Sequence, residues 1–400
     1  MKKILFISGS IGLGHAVRDL AMARELRRMR PDAEISWIAC PPASRILRDA
    51  GEKLLPEADL WSDENASAEK ASSVKTFGLN IPRYLMAARK EWKNNIEVFK
   101  RLMSGTDFDL IIGDETYEIT RALKKNPAIK KAPFLAIYDF IGLEAMTGNP
   151  LERLAVHFWN RVWSKGYKKA SRAINAVLFV GEIEDIPDRR MGFLLPSRRV
   201  WAEYRKVHYL GYVFPFSAAD YADKSRIRQS LGYGGEPLIV ASVGGTGIGG
   251  ELLDLCGRAF RLARREIPGL RLVLVCGPRV APDSLAVPEG AEVRAYVPDL
   301  YRHFAACDLA IVQGGGTTTL ELTALRRPFL YFPLEGHFEQ SKYVAARLAR
   351  HKAGIPMCFS KTTPESLARQ ITANIGREAS WPPIPLDGAQ KGAEIISRFL

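Results

Sequence analysis

Cysteine is sparse in this chain: Cys40, Cys256, Cys276, Cys307 and Cys358 stand far apart with no Cys-x-x-Cys pair. That pattern excludes a disulfide framework and a zinc cluster, because reduced thiols in apolar, strand-like surroundings pack as small hydrophobes. No apolar run reaches the length of a membrane span, and the apolar part of Met1-Lys-Lys-Ile-Leu-Phe-Ile-Ser8 is too short for a secretory signal before a glycine loop begins. A cytoplasmic protein is expected, at most peripheral on the inner face of the membrane. Pro/Gly/Ser tracts, short-period repeats and helix-turn-helix, zinc-finger or RNP patterns are also missing, which speaks against repeat architectures and against nucleic acid as a partner. Acidic residues are in deficit, 44 against 57 Lys+Arg, and the resulting +13 is weighted toward the first half. Such an excess suits an anionic partner, whether nucleic acid, a phosphorylated substrate or a membrane surface, and charge alone does not choose among them.

What is present is an ordinary α/β composition, 47% hydrophobic and 25% charged, in a chain of 400 residues that exceeds one hydrophobic core. Short β-branched runs alternate with helical patterns. Lys3 to Ser8, Glu34 to Ala39, Asp109 to Gly113, Phe134 to Tyr138 and Ala176 to Val180 read as buried strands of a parallel, doubly wound sheet. The segment Val207 to Phe216 leads to a linker near Phe214 to Ala219, after which the alternation starts afresh. Strands are expected at Pro237 to Val243, Arg271 to Cys276, Glu292 to Tyr296, Leu309 to Gln313 and Phe329 to Phe332, with helices starting near Gly250, Asp299, Thr318 and Glu339. The expected organisation is α/β with two Rossmann-like domains, 1–215 and 216–400, facing across a cleft at the carboxyl ends of their strands, the last helix packing back on the first domain.

The first loop, Ser8-Gly-Ser-Ile-Gly-Leu-Gly-His15, joins a strand to a helix, so backbone amides there can approach a polar ligand. Gly9, Gly12 and Gly14 do not follow the dinucleotide spacing, and Ala39-Cys40-Pro41 stands where an acidic ribose ligand would end the second strand, which disfavours a nicotinamide dehydrogenase. His15, at the helix start, is placed to take a proton from an acceptor hydroxyl; the alternative is a helix-start histidine that caps backbone groups. Asp114 and Glu115 end a strand and can orient His15 or act as base, unless Asp114 caps the helix beginning near Tyr117; Asp139 is a weaker candidate of the same kind.

In the second half, Ser242-Val-Gly-Gly-Thr-Gly-Ile-Gly-Gly250 lacks the Lys-Ser/Thr of a Walker loop, yet Gly244 and Gly245 would let a diphosphate approach the backbone and Thr246 adds a hydroxyl. Gly314-Gly315-Gly316 then leads into Thr317, Thr318 and Thr319 at a helix start, a ready anion site. Glu321, just inside that helix, can accept two ribose hydroxyls. The loop through Glu335, His337, Glu339 and Gln340 holds acceptors and donors where a hexose would hang from the diphosphate.

These second-half motifs resemble the donor half of GT-B glycosyltransferases, especially the UDP-sugar enzymes related to the GlcNAc transferase of peptidoglycan lipid synthesis and to macrolide and glucuronosyl transferases. The resemblance implies that the glycine-threonine turn grips diphosphate, that Glu321 binds ribose, and that the Glu339-Gln340 pair binds sugar hydroxyls. It also implies that the backbone around Val297 in Tyr296-Val-Pro-Asp-Leu300 holds the base. The family's usual acid in that pair is aspartate, so the sugar stays open, as does uridine against thymidine. The first half resembles the acceptor domain through Gly12-Leu-Gly-His15 and the helix from Ala16 to Arg28. A hexosyl transfer with inversion follows from the resemblance, with no cofactor, the UDP-sugar as co-substrate, no metal, and a lipid-linked or small-molecule acceptor. Sugar-nucleotide hydrolases, non-hydrolysing 2-epimerases and non-enzymatic sugar-nucleotide binders remain alternatives. Two segments, Ile81 to Arg101 and Leu151 to Lys169, mix aromatic, aliphatic and basic residues at helical spacing. They are read either as contacts with an anionic membrane or as helices packing Trp92, Trp159 and Trp163 inward.

Overall fold

The computed structural model describes residues 1–9, 13–63, 72–73, 78–79, 88–169, 171–245 and 249–400. The described parts of Met1–Lys70, Ile81–Pro215 and Pro385–Leu400 form one compact unit, and those of Ala71–Asn80 and Phe216–Ile384 a second.

The first unit is built on seven parallel strands: β1 (Lys2–Ile7), β2 (Ala33–Ile38), β3 (Lys53–Leu54), β4 (Leu110–Asp114), β5 (Phe134–Tyr138), β6 (Ala176–Val180) and β7 (His208–Gly211). Their spatial order is β3-β2-β1-β4-β5-β6-β7. Strands such as Leu110–Asp114 are buried along their whole length, because helices cover both faces and every side chain meets a core. One core holds Leu5, Ile111, Ala136 and Phe179; the other holds Phe6, Ile112, Ile137 and Leu178, alternating residues of the same strands. Three helices matter for the site: α1 (Gly14–Met29), α2 (Tyr117–Lys125) and α3 (Pro150–Ser164).

The second unit repeats the plan with β8 (Leu238–Ser242), β9 (Arg271–Val275), β10 (Ala291–Arg294), β11 (Leu309–Gln313), β12 (Phe329–Phe332) and β13 (Ile355–Pro356), ordered β10-β9-β8-β11-β12-β13. Its key helix is α4 (Gly316–Ala324). The closing helix α5 (Gly388–Ser397) belongs to the first unit, where Ala389, Ala393 and Ile396 join the core containing Met22 and Leu26 of α1.

Every strand expected from the sequence is present, with ends shifted by at most two residues. Three edge strands were not expected. β3 and β13 are two residues long, too short to show a period, and β7 lies in the stretch read as leading to the linker. Four cysteines are buried and only Cys358 is exposed. Among the described residues no helix is long and apolar enough to cross a membrane.

Candidate functional site

In both sheets the first strand lies beside the fourth, so the chain leaves neighbouring strands in opposite directions and the loops at their carboxyl ends part. In the first unit this point lies between β1 and β4. His15 stands in the first turn of α1, Asp114 is the last residue of β4, and Asp139 follows β5. Residues a hundred positions apart therefore meet: His15 Nδ1 is 2.8 Å from Asp114 Oδ2. Asp114 does not cap the helix that follows it; Thr116 occupies the N-cap position of α2, without a side-chain cap.

Arg18, one turn beyond His15, binds the cluster together. Its Nη2 donates to Asp114 Oδ1 at 2.6 Å, its Nε to Asp114 Oδ2 at 3.2 Å, and its Nη1 to Asp139 Oδ2 at 3.0 Å. Arg18 Nη2 is also 2.8 Å from His15 Nδ1. With a proton on Nδ1 the ring donates to Asp114 and Nε2 is the basic position; without one, Nδ1 accepts from Arg18 Nη2. A Cβ on Gly9 would lie 3.1 Å from the His15 ring and 3.3 Å from the Asp114 carbonyl oxygen, so any larger residue there would press on the His15 cluster.

Glu115 adopts a left-handed backbone, φ 49°, which a non-glycine residue holds only under constraint. Its Oε2 lies 3.8 Å from His15 Nε2, and its Oε1 accepts from the Tyr117 hydroxyl at 2.9 Å. Burial, then the charge of Asp139 and a hydrogen bond shared with it, push the Glu115 carboxyl well above the usual range. Burial pulls Asp139 the same way, but the Glu115 hydrogen bond and the Arg18 guanidinium outweigh it and hold Asp139 low. Asp114 is likewise held low by Arg18 and His15 against its burial. Asp19, which accepts from the Ser8 hydroxyl at 2.7 Å, is pushed up by burial and by Asp114. Burial and neighbouring charge thus push Glu115 and Asp19 up, while Asp114 and Asp139 are held down, with Arg18 as the buried cation among them. Ligand atoms of His15, Glu115 and Asp139 lie within 4.8 Å of one another, a spacing a metal ion can use, although Arg18 already engages Asp139. The sequence reading missed Arg18; its signal was the three-residue spacing from His15, which puts both on one helix face.

In the second unit the corresponding point lies between β8 and β11. The β8 loop carries Gly244, at φ 79°, and Gly245. The β11 loop runs through Gly314, where a Cβ would sit 2.8 Å from Pro333 Cα, to Gly315 at the N-cap of α4. No side chain caps this helix, and the first-turn amides of Gly316, Thr317 and Thr318 have no acceptor within it. The Thr317 and Thr318 side chains are half-buried. Thr319, by contrast, donates its hydroxyl to Gly315 O at 2.8 Å and is structural.

Glu321 lies one turn into α4 and is buried. Burial, reinforced by Asp299, raises its carboxyl to about 8. Glu339 opens a π-helical turn, Glu339–Val344, its Oε1 3.7 Å from where a Gly316 Cβ would be. His337 stacks on Phe338 with its Nδ1 3.8 Å from Glu339 Oε2. The buried Gln340 accepts from the Leu334 amide at its Oε1, at 2.8 Å, so its carbonyl holds the loop. Glu335 turns to the 358–360 segment, accepting from the Ser360 amide at 3.0 Å. Val297 packs half-buried against the core of Val275, Phe304 and Val312.

Gly12 and Thr246 lie outside the described residues, as do residues 81–87 of the first basic-aromatic segment; Gly14 opens α1. The tryptophans of these segments pack inward: Trp92 meets Trp159 edge-on at 5.8 Å, and Trp163 meets Tyr117, Tyr138 and Trp201.

Residues 260–379 match the family model described as the glycosyltransferase family 28 C-terminal domain. An uncharacterized glycosyltransferase of Methanosarcina acetivorans is 25% identical over 405 residues, covering 100% of this chain and 98% of that protein. The UDP-N-acetylglucosamine--N-acetylmuramyl-(pentapeptide) pyrophosphoryl-undecaprenol N-acetylglucosamine transferase of Nitrobacter winogradskyi is 28% identical over 148 residues, 35% of this chain and 39% of that protein. Among solved structures, the glycotransferase of kitacinnamycin superposes with a TM-score of 0.61 at 15% identity, covering 100% of this chain and 99% of that one. The two doubly wound sheets and these similarities show the GT-B fold, and the likeness is to glycosyltransferases throughout.

Proposed function

We propose that the chain transfers a hexosyl group from a UDP-sugar to an acceptor hydroxyl, with inversion at the anomeric carbon and without a metal. The observation that carries this reading is the uncapped start of α4 beside Gly314 and Gly315, with buried Glu321 one turn further in. Free amides and a helix dipole suit a diphosphate, and a carboxylate at that spacing suits the two hydroxyls of a ribose. The Nitrobacter relative, named for UDP-N-acetylglucosamine, favours UDP as the nucleotide. In this reading the second unit carries the donor site, with Gly244, Gly245, Thr317, Thr318, His337, Glu339 and the Gln340 amide around it, and the first unit takes the acceptor.

His15 Nε2 removes the acceptor proton as that oxygen forms its bond to the anomeric carbon. The bond from that carbon to the β-phosphate oxygen breaks, and UDP leaves with the electron pair. Asp114 holds Nδ1–H and stabilises the imidazolium that forms, and Arg18 holds Asp114. Charge growing on the diphosphate is met by amides, which need no metal. The acceptor hydroxyl belongs to a small molecule or a lipid.

The test is a thermal-shift series with UDP, TDP, GDP, ADP and NAD. A ligand that binds only the folded state stabilises it by about 2.7 kcal/mol at a hundred times its Kd. UDP is expected to raise the melting temperature selectively, and Glu321→Ala to weaken UDP about tenfold or more by losing hydrogen bonds to a carboxylate. A shift with NAD alone, a shift with none of the nucleotides, or an unchanged UDP affinity in Glu321→Ala would remove the reading.

A further inference from the structure

We infer that the first unit's site receives a vicinal diol, with one hydroxyl on His15 Nε2 and its neighbour on Glu115 Oε2, so that the acceptor carries two adjacent hydroxyls, as a sugar ring or a glycerol group does. Calling this diol the acceptor rests on the transfer reading above; its binding does not.

The cluster leaves few polar atoms to a ligand. His15 Nδ1 is engaged by Asp114 and Arg18, which leaves Nε2. Asp114 and Arg18 are shut off from solvent, their side chains 0% and 6% exposed. Asp139 is more open, yet its Oδ2 accepts from Arg18 and its Oδ1 is buried. Glu115 Oε1 accepts from the Tyr117 hydroxyl, and Oε2 stands 3.8 Å from His15 Nε2. The side chains of His15 and Glu115, 14% and 13% exposed, thus form a two-atom opening in an otherwise closed cluster.

That separation selects what fits. It is too long for a hydrogen bond between the two side chains. With hydrogen bonds of about 2.8 Å, a single hydroxyl bonding both atoms at its tetrahedral angle would need them about 4.6 Å apart. Two hydroxyls on adjacent carbons, gauche to each other, have their oxygens roughly one hydrogen-bond length apart and reach the pair by nearly parallel bonds. A hydroxyl both donates and accepts, so it bonds the Glu115 carboxyl whether or not that carboxyl carries a proton. The arrangement also suits the transfer. The attacking oxygen must keep an electron pair for the anomeric carbon, and a hydrogen bond placed on the neighbouring hydroxyl leaves that pair alone.

The pair is fixed before a ligand arrives. Tyr117 is wedged in an aromatic group, stacked on Tyr138 at 5.6 Å and tilted against Trp163 at 5.4 Å, and Glu115 shares a further hydrogen bond with Asp139. Side chains held this way lose little entropy on binding.

The experiment titrates the full-length chain, isotope-labelled at its histidine ring carbons, and follows the nuclear magnetic resonance signal of His15, assigned among six histidines as the one missing from His15→Ala. The probes are trans-cyclohexanediol with hydroxyls on adjacent carbons, its isomer with hydroxyls on opposite carbons, cyclohexanol, and glycerol. The adjacent diol is expected to shift the signal with an affinity about tenfold above the opposite diol and cyclohexanol, the worth of one further hydrogen bond. Glycerol should shift it too; tighter binding of the ring supports a sugar as the source of the diol, and tighter binding of glycerol supports a glycerol group. Glu115→Gly suits the backbone at φ 49° and should bind the three cyclohexane probes alike, whereas Glu115→Gln still donates and accepts and should keep the preference. A signal that moves with none of the probes, equal affinity of the wild type for the three cyclohexane probes, or an undiminished preference in Glu115→Gly would each overturn the inference. UDP-induced stabilisation, read on the same samples, tests the transfer reading separately: its absence removes the acceptor role and leaves the diol site standing.

Discussion

The two units share a strand order and place their candidate chemistry at the same point of it, yet they fill that point with opposite materials. In the first unit the loops after β1, β4 and β5 supply ionisable side chains: His15, Asp114, Glu115 and Asp139, with Arg18 reaching in from α1. In the second the loops after β8 and β11 supply glycines, and what faces outward is backbone amide and threonine hydroxyl, with one buried carboxyl, Glu321, behind them. A proton acceptor needs a side chain whose basicity its neighbours can set. A diphosphate ligand needs many weak donors at close range, and Cβ atoms would hold it off. One fold supports both because strand order fixes where loops diverge, while loop composition decides what stands there.

The comparison can be broken at its strongest point by His15→Ala. Loss of a general base is expected to lower kcat by about 10²–10⁴, with UDP-induced stabilisation unchanged. A variant that lost UDP binding as well would show that the two sites do not divide the work this way. Arg18→Met comes next. It leaves Asp114 and Asp139 buried without their cation, which costs about 3–5 kcal/mol in an unfolding titration at neutral pH. Both groups are held below their unfolded values, so their contribution is present above those values and is lost as pH falls through the folded ones. The gap between wild type and variant should therefore shrink in acid.

The smallest effect sharpens the other side. The Glu321 carboxyl is raised to about 8 from the ordinary 4.5. A raised value means that the stability it contributes is complete below the unfolded value and is lost as pH rises through the folded one. Glu321→Gln, which does not titrate, should match the wild type in melting temperature near the low end of that window. It should gain on it progressively up to about pH 8, by on the order of 3 kcal/mol at neutral pH. An equal pH dependence in both proteins would mean that Glu321 is not the buried, isolated carboxyl described here.

Much of this was legible in the residues. Continuous apolar runs ending in glycine announce buried parallel strands and the loops after them, and Gly314-Gly-Gly-Thr-Thr-Thr319 announces an uncapped helix start because its chemistry is local. Side-chain roles inside the loops were less legible. Thr319, Glu335 and the carbonyl of Gln340 offered the same groups as their neighbours, but in the structure they hold Gly315, Ser360 and Leu334. Spacing cannot tell a donor aimed at a ligand from one that ties down its own loop. The tryptophans of α3 were open to two readings, membrane contact or inward packing, and only the packing shows that they turn inward.

By itself the sequence determined the alternation of strands and helices, the two units and the glycine-rich turns, since these depend on residues within one or two turns of each other. The tertiary structure decided the charge state of the first site. Arg18 meets Asp114 across 96 positions and Asp139 across 121 because β1, β4 and β5 lie side by side, and burial there shifts the proton affinity of each carboxyl. Proton affinity depends on the three-dimensional neighbourhood, and no local spacing carries that information.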